Sequence, residues 1–143
     1  MAEVADVRRR VRLRIEDARR RAAERRSEAD VAERDFTTFL TAVAGPVFKQ
    51  FAQALTAEGY PFKVNTPAGM LRLASERSRN DYIEIELDTE LDPPQAVGRA
   101  NRAHGARTMI AERPVRPGAR VGELTEEDVL DFLTAEIGPF VER

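Results

Sequence analysis

Within nine residues the chain places Arg99, Asn101, Arg102, His104 and Arg107, and no acid lies between Asp92 and Glu112. Guanidinium forks beside Gly98 and Gly105 are groups that can hold a phosphate or carboxylate. Histidine is the side chain that exchanges protons near neutrality, so His104 is the candidate acid or base. The stretch has no nucleotide-loop glycine pattern, and no Ser or Cys nucleophile is recognisable beside His104. Arg99, Arg102, His104 and Arg107 are therefore a candidate anion-binding set, with no catalytic residue assigned. A small enzyme using this 99–107 stretch, or the acidic row below, remains a third functional alternative.

A second group is the row Tyr82, Glu84, Glu86 and Asp88, alternating with Ile83, Ile85 and Leu87. Such alternation predicts a strand with the apolar residues facing a core and the carboxylates facing outward, about 7 Å apart along one face. Two carboxylates could share a divalent cation if another strand gave oxygens. No Cys and a single His leave no sign of a zinc site, and no metal or other cofactor is assigned. The row reads instead as an acidic face for a basic partner.

The third group is basic. Eight arginines, Arg8, Arg9, Arg10, Arg12, Arg14, Arg19, Arg20 and Arg21, stand against only Glu16 and Asp17 over residues 8–21, although the chain's net charge is −2. Arginines along one helix can track a phosphate backbone, which makes nucleic acid a possible partner. The segment lacks aromatic residues for base stacking, and the overall pI of about 5.6 is not that of a nucleic-acid domain. Charge segregated in this way also lets copies of one chain attract each other.

The elements that carry these groups follow from periodicity. Residues 2–35 contain no Gly or Pro and are rich in Ala, Arg and Glu, a composition that predicts a helix. Val4, Val7, Val11 and Ile15 begin a thin apolar stripe that continues through Ala18, Ala22, Ala29 and Ala32. It is too poor in Leu and Ile for a strong coiled coil, but suits a loose helix–helix seam. Phe36, Phe39, Leu40, Val43, Val47, Phe51 and Leu55 then recur at helical spacing as the core helix. Pro46 within it predicts a kink or restart, and Gly59 with Pro61 predicts its stop.

Beyond that stop, Phe62–Asn65 and Met70–Ala74 read as a hairpin, residues 82–88 as the clearest strand, 89–106 as irregular and 107–112 as a fourth strand. Thr125 opens a final helix with a capping-box pattern. The expected architecture is α+β. A helical arm, residues 1–34, precedes a head, residues 35–143, in which about four antiparallel strands carry the core and C-terminal helices on one face.

No apolar run approaches a membrane span, and the chain is read as cytoplasmic without a membrane partner. The functional expectation is a non-catalytic assembly or adaptor module. It would form a homo-oligomer or bind a protein partner through Val4, Val7, Val11 and Ile15, with Arg8, Arg9, Arg10, Arg12, Arg19 and Arg20 and the acids Glu84, Glu86 and Asp88 as charged contacts.

Overall fold

The computed structural model describes residues 3–142. Helix α1 runs Val4–Phe39, a π-helical turn spans Leu40–Ala44, and helix α2 follows at Gly45–Ala57. Five strands come next: β1 (Phe62–Asn65), β2 (Leu71–Ser75), β3 (Tyr82–Asp88), β4 (Gln95–His104) and β5 (Arg107–Pro114). Helix α3, Glu126–Val141, closes the chain. The strands form one antiparallel sheet in the order β1-β2-β3-β4-β5. The helices pack on one face of it, so the fold is α+β.

The arm and the core helix form one rod because of how Pro46 is accommodated. Proline has no N–H to donate, and its ring would collide with the carbonyl four residues back in an α-helix. The chain instead opens one turn, in which the Gly45 N–H reaches back five residues to the Leu40 carbonyl. A Cβ at position 45 would lie 2.6 Å from that carbonyl oxygen, which is why glycine suits the position. The helix continues where the sequence predicts a kink or restart.

The π turn also changes which residues are buried. It adds one residue to the winding, rotating everything downstream by about 100° relative to an unbroken α-helix. Phe48, outside the expected stripe, is fully buried, together with Ala44 and Ala52, while Phe51 and Leu55 are only partly covered. Phe36, Phe39 and Val47 are buried as the spacing predicts. Phe48 meets a core of Leu73, Ile83, Ile85, Val129, Phe132 and Leu133.

The expectation of about four strands is corrected to five, because β4 occupies much of the stretch read as irregular. Its first four residues, Gln95, Ala96, Val97 and Gly98, are all buried, so no alternation marks it. The core-facing positions are small for a packing reason: Gly98 lies under the Phe132 ring, and an added methyl would overlap that ring. Elsewhere local signals hold. Gly59 takes a left-handed conformation at the end of α2, and Thr125 and Asp128 form a reciprocal capping box at α3. Pro139 lies within α3, which continues to Val141.

The phase set by the π turn has a measurable consequence. Phe48→Ala is expected to lower unfolding free energy by about 4 kcal/mol, in the range for a fully buried aromatic, and Phe51→Ala by about half that. Urea denaturation of the two variants checks the order, which an uninterrupted α-helix would reverse.

Candidate functional site

From Glu3 to Arg21 no arm residue is buried; half-burial against the head begins at Ala22 and Ala29, and full burial at Ala32 and Phe36. About 27 Å of helix therefore stands clear of the head, at 1.5 Å per residue. The cleared portion exposes Val4 (77%), Val7 (46%), Val11 (53%) and Ile15 (45%). At about 100° per residue these four share one helix face with Ala18, Ala22, Ala29, Ala32 and Phe36. The face that seats the arm on the head thus continues outward uncovered.

The arm's arginines divide into two sets. Arg9 and Arg10 bind Asp6, and Arg14, Arg20 and Arg21 bind Asp17, at 2.6 to 3.4 Å along the helix. Such exposed pairs add only a few tenths of a kcal/mol each, but they occupy these side chains. Arg8, Arg12 and Arg19 have no ion-pair partner among the described residues, and they flank Val7, Val11 and Ile15 in one shallow groove. Of the arginines expected at a partner surface, these three lie beside the apolar stripe without an ion pair, in a groove that Glu16 also lines.

Where the arm meets the head there is a second groove of about 500 Å³. Ala22, Arg25, Arg26, Glu28 and Ala29 line one wall, and the loop from Thr89 to Asp92 with Pro94 lines the other. Sequence reasoning missed this site because its walls are some 60 residues apart in the chain.

The acidic row is not a solvated face. Cross-strand register sets Arg72, Glu84, Arg99 and Glu112 side by side on β2 to β5. Glu84 is 2% exposed and accepts from Arg72 Nε and Nη2 at 2.9 and 2.7 Å and from Arg99 Nη1 at 3.3 Å. Arg99 also reaches Glu86 at 2.9 Å and Glu112 at 3.6 Å. Burial works against the charge on Arg99, but Glu86, Glu112 and Glu84 outweigh it and hold its pKa above the ordinary arginine value. The Arg72 guanidinium lies 4.0 Å over the Tyr82 ring. Asp88 accepts from the Glu90 backbone N–H at 2.9 Å. The expected outward carboxylates are thus in part a closed ladder across the sheet.

The four candidate anion-binding residues are not brought together. Arg99 lies on the ladder face. Arg102, His104 and Arg107 share the opposite face near the β4–β5 tip, with Arg102 Nη1 3.4 Å from His104 Nδ1 and His104 opposite Arg107. Among the described residues no three His, Cys, Asp or Glu side chains are gathered as metal ligands, and no helix is long and apolar enough to cross a membrane.

Comparison of the chain with known protein families, with curated proteins and with solved structures finds no match.

The ladder's role is structural and can be measured. Glu84→Ala leaves two arginines facing each other across a gap, and is expected to destabilise the head by about 3 kcal/mol, the lower end for breaking a buried pair, since both arginines keep some access to water. Denaturant midpoints of this variant and of Glu86→Ala, whose carboxylate is more exposed, give the comparison; equal losses would mean that burial does not set the cost.

Proposed function

We propose that the protein is a non-catalytic assembly module: it self-associates through the exposed stripe Val4, Val7, Val11 and Ile15, and the arm holds the α+β head at a fixed position in the assembly. The observation carrying this reading is the continuity of one helix face. From Ala22 to Phe36 that face is increasingly covered by the chain's own head, and from Val4 to Ile15 the larger side chains on it stay exposed. Exposing four β-branched residues in a row costs roughly 1 to 2 kcal/mol apiece relative to burial. A second arm removes that cost.

The unpaired row of Arg8, Arg12 and Arg19 supports a second reading, in which the arm binds the phosphate backbone of a nucleic acid. The two readings separate by salt and by residue. Backbone binding falls steeply with salt and depends on the arginines, whereas a seam through the valines depends on Val7 and Val11.

Light scattering with small-angle scattering tests the assembly reading. The full chain is expected at a multiple of its 16.1 kDa mass. A Val7→Glu, Val11→Glu double variant is expected at the monomer mass with unchanged helical circular dichroism, because Glu is a good helix former and the positions are exposed. An unaltered chain at monomer mass removes the reading, and nucleic acid then leads.

A further inference from the structure

The two edges of the sheet are not alike. At the β1 edge the Glu76 N–H donates to the Pro61 carbonyl at 2.9 Å, which fixes the alternation along the strand and turns Phe62 and Val64 outward. The Phe62 N–H donates to the Thr56 hydroxyl of α2 at 3.4 Å, which leaves only Val64 open among the outward positions of this four-residue strand. At the β5 edge the Val115 N–H donates to the Ala96 carbonyl at 2.9 Å, and the register carries that pairing to Arg113, Ala111, Met109 and Arg107. Thr108, Ile110, Glu112 and Pro114 therefore direct their backbone groups away from β4. Proline, with no N–H to offer, fits such an outward position. From Arg107 to Glu112 every residue of this edge is exposed.

We infer that the β5 edge takes an extended segment of a partner protein as a further, antiparallel strand of the sheet. The outward N–H and C=O groups of Thr108, Ile110 and Glu112 match those of another extended chain. Side chains directly opposite each other share a face, so β5 also sets the chemistry of the partner. On the helix side Met109 and Ala111 favour apolar residues, and Arg107, which has no ion pair among the described residues, favours an acid. On the ladder side Ile110 favours a β-branched residue. Glu112, reached by Arg99 only at 3.6 Å, favours a base. From its N-terminus the partner strand is thus a base, three apolar residues, a polar residue and an acid. Its acidic end lies beside the β4–β5 tip, where His104 stands opposite Arg107 and Arg102 follows on the same face. Asp81, just before β3, is buried there and accepts from the Ala103 N–H at 2.8 Å.

A second copy of β5 fits less well. The antiparallel self-pairing that engages Thr108, Ile110 and Glu112 of both strands sets Arg107 against Arg113 at each end, like charges directly opposite. Arg113 is already paired with Glu136 at 2.7 Å, so this alignment brings no free acid to Arg107. The β1 strand of another copy is excluded by the Thr56 contact at Phe62. The β5 edge lies on the head and uses no arm residue, so it is open whether or not the arms self-associate.

The probe is a fluorescein-labelled peptide, Lys-Val-Ile-Val-Thr-Glu with blocked ends, titrated with the full chain and followed by fluorescence anisotropy. Saturable binding is expected, with amide exchange slowed at Thr108, Ile110 and Glu112 in NMR spectra. Ile110→Pro is expected to weaken binding about tenfold, because it removes an outward donor and leaves the bonds to β4 in place. Circular dichroism verifies that this variant is folded. At the exposed tip, Arg107→Glu is expected to weaken binding about threefold, and a peptide ending in Lys instead of Glu to restore it. Should the proline variant unfold, this charge exchange decides alone.

No saturable binding by the unaltered chain overturns the inference, as does protection confined to other amides. Unchanged affinity in a folded Ile110→Pro variant, or a charge exchange without effect, does the same. A Val7→Glu, Val11→Glu chain that is still dimeric by light scattering, and becomes monomeric when Ile110→Pro is added, would mean that a second copy holds the edge, and this also overturns it. Loss of self-association on arm substitution bears on the assembly reading alone.

Discussion

The structure depends on how one proline is fitted into a helix. Pro46 removes a donor and adds a clash where the arm becomes the core helix. A break there would leave the arm held only by its own seat at Ala32, Phe36 and Phe39 and uncoupled from the winding of α2. The π turn over Leu40–Ala44 satisfies the constraint without a break, and its extra residue turns Phe48 onto the sheet while the face through Ala32 and Phe36 stays seated. Rod and head are thereby parts of one hydrophobic core. The residues that fix the arm's direction are the same ones that hold the head together.

The two faces of the sheet are held by different physics. On the helix face, burial of Leu73, Ile83 and Ile85 against Phe48 and Phe132 is apolar and close-packed, to the point that Gly98 has no room for a methyl group. On the other face no helix packs among the described residues, and long side chains take its place. The stems of Arg72 and Arg99 cover the strand centres while their guanidinium groups meet Glu84 and Glu86. A carboxylate almost without solvent access is tolerated there because two cations compensate it.

Much of this was legible in the sequence wherever the cause is local. The alternation of Ile83, Ile85 and Leu87, the reciprocal cap at Thr125, the left-handed Gly59 and the stripe from Val4 to Ile15 are set by neighbours within a few residues. What the sequence concealed depends on distant partners or on altered winding. Phe48 falls out of phase only if the helix is assumed to be regular. β4 carries alanine, glycine and arginine because α3 and the ladder shape its two sides, and so it has no period of its own. Glu84 alternates like any outward acid, and its burial comes from arginines on two other strands. The basal groove escapes notice for the same reason, since the arm and the 89–94 loop meet only in space.

An unbroken helix between tip and head also transmits torque. A flexible linker would let a tethered domain spin freely, so that a contact at the far end would fix its distance but not its heading. Here the tip, the π turn and the buried side of α2 belong to a single wound rod. Whatever grips the stripe near Val4 therefore sets the compass bearing of the sheet, including the direction in which the unpaired edge of β5, with Met109 and Ile110 exposed, points to its surroundings.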